Sequence, residues 1–175
     1  MSGPVGPTAT RQPDLNPGGP PVGRPLVERL AAGAATLPRV DVSGVAVVRL
    51  PVVTDHRGAL SFAEYDAHVP FVPRRYFAMM DVPAGMTRGD HAHQACHQFF
   101  VCLRGACTLR LDDGRTSDQV LLESPATGVH APPLTWCTVR LDLPGTVLLV
   151  LASDPYDRSD YILDYDEFLQ LVNAP

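Results

Sequence analysis

The sequence predicts an all-β protein, a barrel or jelly roll of many short strands with a short C-terminal helix. Three observations carry this. From about residue 44 the chain runs in short segments rich in β-branched and aromatic residues, separated by turn residues at spacings near ten. A helical period of apolar residues is almost missing until the C-terminal stretch. The length of 175 residues suits one domain with a real hydrophobic core, and no internal repeat suggests a solenoid.

The elements follow in order. Val45–Leu50, Ala59–Glu64, Tyr76–Val82, Gln98–Leu103 and Cys107–Asp112 read as strands. Asp113-Gly114 predicts a tight two-residue hairpin, because Asp-Gly readily takes the positive φ values such a loop needs. Gln119–Glu123, Thr135–Leu141 and Thr146–Ala152 continue the series, the last two joined by a Leu143-Pro144-Gly145 turn. Tyr165–Val172 reads as a helix with Phe168, Leu169 and Val172 on one face and Asp164 or Asp166 near its start. Residues 1–38 differ in texture: they hold eight of the eighteen prolines and six of the fourteen glycines. Such composition buries too little apolar surface to offset chain entropy. The reading is therefore an arm over residues 1–40, disordered or loosely docked, with a weak helical signal at Leu26–Leu37, and a folded domain over 41–175.

Charge and composition exclude several classes of function. All fourteen basic residues are arginine, so amine chemistry through a Schiff base or pyridoxal phosphate has no lysine to use. A phosphate-binding loop of the Walker type lacks its lysine for the same reason. Residues 41–175 hold ten arginines against seventeen carboxylates, a balance of −7. Binding to nucleic acid through its backbone needs a basic surface, so no nucleic-acid partner is expected. With no 18-residue apolar run and no apolar signal core at the N-terminus, the expectation is a cytoplasmic protein with no membrane partner. Cys96, Cys102, Cys107 and Cys137 have no CxxC pairing and read as reduced, mostly structural thiols.

The densest chemistry lies between Gly85 and Gly105, where His91-Ala92-His93 is followed after four residues by Gln98. Histidines at i and i+2 of a strand point to one face, so both imidazoles can enter a barrel interior. That arrangement suits a metal or proton transfer. The spacing resembles the first motif of the cupins, in which the position of Gln98 is usually a metal-binding Glu. The second cupin motif usually supplies a further histidine after a Pro-rich turn, where this chain has Ala131-Pro132-Pro133-Leu134-Thr135-Trp136-Cys137. An amide is a poor ligand for a transition metal. A pair of histidines working as acid and base without metal is therefore favoured over a His91/His93/Cys137 metal site. His97 reads as the start of the following strand, and His56, His68 and His130 as ordinary loop or surface residues.

Several motifs in order carry a more specific resemblance over about residues 45–170. Asp55-His56-Arg57-Gly58-Ala59-Leu60, Glu64, Val69-Pro70-Phe71, Arg74-Arg75-Tyr76, Arg88-Gly89-Asp90-His91-Ala92-His93, Gln98 and the ending Asp160-Tyr161-Ile162 through Tyr165-Asp166 to Phe168 belong to this pattern. The chain resembles the nucleotide-sugar 3,4-ketoisomerases (WxcM-like), which convert dTDP-4-keto-6-deoxyglucose to a 3-keto sugar. The resemblance implies a cupin jelly roll (a double-stranded β-helix) and a homodimeric isomerase of deoxysugar biosynthesis. It also implies a dTDP-sugar as the small-molecule substrate and neither cofactor nor metal. It points to His91 and His93 as catalytic residues, with His93 first choice as base. Arg57, Arg75 and Arg88 become candidates for the diphosphate, since guanidinium makes paired hydrogen bonds to phosphate. Tyr76, Gln98 and Cys137 complete the expected substrate-binding set. The family often has lysine where this chain has Gln94 and Arg74. Two other readings stay open at this point: a non-catalytic cupin that binds a nucleotide sugar, and a metal-dependent cupin oxygenase.

Overall fold

A computed structural model describes residues 37–174. The arm, apart from its last residues, and the helical signal up to residue 36 lie outside the described residues. The described residues build two five-stranded sheets and a separate two-stranded one. The first sheet runs β1 (Ala46–Arg49), β9 (Thr127–Ala131), β6 (Gln98–Arg104), β11 (Val147–Ala152), β4 (Arg75–Met79). The second runs β12 (Tyr161–Ile162), β5 (Thr87–His93), β10 (Trp136–Leu141), β7 (Cys107–Asp112), β8 (Ser117–Leu122). β2 (Val52–Asp55) and β3 (Gly58–Ser61) form a hairpin apart from both. Among the described residues every pairing of the named strands is antiparallel, and only two of the sheet neighbours, β7–β8 and β2–β3, are consecutive hairpins, which is the crossed connectivity of a jelly roll.

The core lies between the two large sheets and follows the period of two along each strand. β11 alternates half-buried and buried residues, and its buried Leu148 and Val150 meet Phe100 and Cys102 of β6 and Leu109 and Leu111 of β7. Each large apolar side chain buried this way contributes about 1.5–3 kcal/mol relative to exposure. All four cysteines are buried thiols, as expected for structural residues.

Helix α1 (Tyr165–Val172) forms where the sequence places it, capped by Asp164, whose carboxylate accepts from Glu167 N–H at 2.9 Å. Its Phe168 is fully buried beside Ala92 and Ile162 and so fastens the chain's end to β5 and β12.

Some elements differ from expectation. The Asp113-Gly114 hairpin has a four-residue loop, since Asp112 pairs with Ser117 and Asp113 N–H reaches the Thr116 carbonyl. There the Asp113 carboxylate accepts from Arg115 and Thr116 N–H, so the aspartate closes the loop and only Gly114 takes a positive φ. The second predicted strand stops at Ser61. β5 was expected only through its histidine pair, and β2, β9 and β12 were not predicted: each of these three is too short, or too rich in Gly and polar residues, for alternation to stand out. His130, expected at the surface, lies partly buried in β9 and stacks on His97 at 5.2 Å between ring centroids.

Candidate active site

A bulge in β5 aims the histidine pair. Cys137 stands opposite His91 and Thr138 opposite Gly89, so Asp90 is the extra residue, and both Gly89 and Asp90 have positive φ. A Cβ on Gly89 would lie 2.6 Å from the Cys137 carbonyl oxygen, which no side chain tolerates. Past this bulge the strand regains its alternation, and His91 and His93 come together with ring centroids 5.0 Å apart. His91 is partly buried and His93 only 4% exposed.

The C-terminal segment supplies what the sequence reading missed. Asp160 Oδ2 lies 2.7 Å from His93 Nδ1, and its Oδ1 accepts from Ala95 N–H at 2.7 Å. A carboxylate only accepts, so His93 carries its neutral proton on Nδ1 and presents the Nε2 lone pair. Gln98, 5% exposed, places its amide nitrogen 3.1 Å from that Nε2. Tyr161, opposite His93 in the β12–β5 ladder, packs its ring 4.9 Å from His91 and 4.3 Å from His93. Gln94, at the position where a lysine is common in the resembling family, holds this segment. Its amide donates to the Ser159 carbonyl and its N–H to that of Asp160, both at 2.9 Å.

Burial is the main cause holding the His93 pKa below its ordinary 6.5. The hydrogen bond to Asp160 pushes it back up, while the charges of His91 and Arg75 push it down. The ring is therefore a neutral base near neutral pH with a carboxylate ready to stabilise its protonated form.

The other expected residues fall in different places. Arg75 points to the inner face of β4, with Nη1 3.5 Å from the Tyr161 hydroxyl. Tyr76 takes the opposite face and is 72% exposed. Arg57, at the tip of the β2–β3 hairpin, pairs with Asp55 through Nε at 2.9 Å, and Arg88 is exposed on β5 opposite Val139. Among the described residues neither hydrogen-bonds to the histidine pair. Cys137 packs in the core, donates toward the Thr135 carbonyl at 3.5 Å, and has its thiol pushed up to about 12 by burial.

The His91/His93/Cys137 metal set does not assemble. Among the described residues the group with ligand atoms within 4.8 Å of one another is His93, Cys96 and Asp160, on the Nδ1 side that the carboxylate already occupies. With an amide at position 98, and with Cys137 packed in the core rather than gathered with the two histidines, the inward-facing donors do not fit a catalytic transition metal.

Fold and site together define a cupin-type β-barrel whose interior carries a histidine–carboxylate dyad. The family described as "FdtA: WxcM-like, C-terminal" matches residues 43–173, and the chain belongs to it. It is 36% identical over 126 residues to the TDP-4-oxo-6-deoxy-alpha-D-glucose-3,4-oxoisomerase of Aneurinibacillus thermoaerophilus, covering 72% of this chain and 91% of that one. Among solved structures it resembles a 3,4-ketoisomerase from Helicobacter canadensis, with a TM-score of 0.71, 35% identity, and coverage of 74% of this chain and 98% of the other. It also resembles a histidine-to-asparagine mutant of the 3,4-ketoisomerase QdtA from Thermoanaerobacterium thermosaccharolyticum in complex with TDP-4-keto-6-deoxyglucose, with a TM-score of 0.72, 32% identity, and coverage of 75% and 95%.

Proposed function

We propose that this protein is a sugar-nucleotide 3,4-ketoisomerase of deoxysugar biosynthesis, acting in the cytoplasm on a dTDP-4-keto-6-deoxy-hexose. The observation that carries the reading is the part-buried His93–Asp160 dyad beside His91, in a chain similar along most of its length to named 3,4-ketoisomerases. Moving a ketone from C4 to C3 is an internal redox change and needs no external oxidant. His93 Nε2 removes the C3 proton; the C–H electron pair becomes the C3–C4 double bond, and the carbonyl pair moves to O4. The O3 proton is then lost, the C3 carbonyl forms, C4 takes a proton, and O4 ends as a hydroxyl. In the free protein Gln98 N–H fills the place at Nε2 where the C3–H must arrive. His91, partly exposed and in contact with both His93 and Tyr161, is the partner for the second proton or the polarising group for the sugar oxygens.

A second copy of this chain is the proposed partner. The β2–β3 hairpin, unpaired with either large sheet, exposes Val53 and Leu60 at 57% and 63%, apolar surface that suits burial in a homodimer. Light scattering of the purified protein tests this: a monomer at all concentrations would refute it. Among the described residues no helix is long and apolar enough to cross a membrane. The reaction is tested by NMR of dTDP-4-keto-6-deoxyglucose with the protein in D₂O. Deuterium at C3 or C4 and a new 3-keto sugar are expected, and neither appearing would sink the reading.

A further inference from the structure

Arg75 occupies an unusual position for a cation. Its partner across the β4–β11 ladder is Ala152, and the partner of Ala152 across β11–β6 is Gln98. Residues directly opposite in a ladder share a face, so Arg75, Ala152 and Gln98 form one row on the inner face. Strands lie about 4.8 Å apart, which puts the Arg75 and Gln98 backbones about 10 Å apart with only a methyl group between them. Gln98 touches His93 Nε2, so the guanidinium is aimed at the volume in which the base works.

Its hydrogen bonding is also incomplete. The Tyr161 hydroxyl accepts from Nη1 at a long 3.5 Å, and Nε is buried with no partner. No carboxylate forms an ion pair with Arg75 among the described residues. What holds the group is aromatic: its central carbon lies 5.7 Å from the Phe77 ring centroid and 5.6 Å from that of Tyr156. Contact through the guanidinium face fixes its plane and leaves the edge N–H groups unspent. A buried donor left unpaired costs stability, so its retention calls for a reason. The positive charge is near enough to His93 to help hold that ring neutral, after the larger effects of burial and His91.

We propose that Arg75 binds the enediolate oxygens of the sugar rather than the diphosphate. The proposal rests on the ketoisomerase reading. As the C3 proton passes to His93 Nε2, negative charge collects first on O4, and after loss of the O3 proton it is shared with O3. These are vicinal oxygens in one plane. The guanidinium fork offers two parallel N–H groups at matching spacing, and a donor fixed before the reaction needs no reorganisation as the charge forms.

The test separates the two roles by comparing turnover and C3 deuterium exchange with dTDP affinity measured by calorimetry, in wild type, Arg75→Lys and Arg75→Ala. For Arg75→Ala, kcat and C3 exchange should both fall about 10²–10³-fold, the cost of one lost oxyanion donor. The Kd for dTDP should change by less than about threefold, as for an interaction made only in the transition state. Arg75→Lys keeps charge without the fork and should remain impaired. Added guanidinium ion should restore part of the turnover of Arg75→Ala by entering the slot between Phe77 and Tyr156, which a purely structural role would not allow. A large loss of dTDP affinity with kcat retained would assign Arg75 to the diphosphate and overturn the proposal, as would unchanged turnover or absence of guanidinium rescue. If wild type itself shows no exchange and no product, the ketoisomerase reading fails and takes this role with it.

Discussion

Replacing Asp160 with Asn tests the dyad most sharply, because the change is nearly isosteric. Asp160 Oδ1 accepts from Ala95 N–H and Oδ2 faces His93 Nδ1, both at 2.7 Å. An asparagine keeps its carbonyl on Ala95 N–H, since only that end accepts, and so turns its NH₂ toward His93. That donor demands a lone pair on Nδ1, which moves the ring proton to Nε2 and removes the base from the face that meets substrate. General base catalysis contributes about 10²–10⁴-fold, so kcat should fall by that range with KM little changed. The charge effect adds to this. Asp160 raises the His93 pKa against burial, so its neutralisation lowers that pKa further, and the acidic limb of the rate profile should move to lower pH while its plateau drops. Losing one charge-assisted hydrogen bond costs about 1.5–3 kcal/mol, readable by urea unfolding. The assay is NMR-monitored turnover and C3 deuterium exchange between pH 5 and 9. An Asp160→Asn enzyme within about threefold of wild type, with an unmoved acidic limb, would refute the reasoning.

Gln98→Glu sets a second carboxylate against the free face of His93, so its pKa should rise, the acidic limb should move to higher pH and turnover at pH 7 should fall; an unshifted profile would count against contact between the two side chains. Cys137→Ala should keep turnover within about threefold while costing about 1 kcal/mol of stability, because the thiol is a core group; a thiol titration showing rapid alkylation of native protein at pH 7 would contradict its burial. His130 is neutral in the fold, its pKa lowered to about 4 by burial and by His97, against 6.5 unfolded. The unfolded chain thus binds the extra proton first, so this contribution to stability is complete above pH 6.5 and lost as pH falls toward 4. His130→Asn should flatten the stability profile in that window, and an equally steep profile in the variant would rule the histidine out as its source.

How much of this was legible in the sequence depends on how local each feature is. Most strands announce themselves by alternation, as β11 does, and the helix by Phe168, Leu169 and Val172 behind the Asp164 cap. The His91/His93 pair was visible because two residues apart on a strand means one face. Asp160 was not, since 67 residues separate it from His93 and only the pairing of β12 with β5 brings them together. The same holds for His97 and His130, which meet only through the β6–β9 ladder. Arg75 and Tyr76 were both candidates in sequence. The inner and outer faces of β4 tell them apart, and that distinction needs to know which neighbours β4 has.

The replacement of a cupin's usual Glu by Gln98 bears directly on the chemistry. A carboxylate at that place would flank His93 with anions on both ring nitrogens, favouring either a bound cation or a standing imidazolium. An amide removes the charge and keeps a hydrogen-bonding group against Nε2. It also has two ends: its NH₂ donates to the lone pair of neutral His93, and its carbonyl, after a flip, accepts from the N–H of the protonated ring. Before substrate arrives and after product leaves, Gln98 can therefore meet His93 in either protonation state without favouring one by charge, giving up Nε2 to the sugar in between, while Asp160 stays on Nδ1. A base that must take a proton and then release it benefits from that neutrality. In the proposed reaction the departure from the metal-binding pattern suits the barrel to proton transfer, and Gln98→Asn, too short to reach Nε2, should impair turnover without introducing a charge.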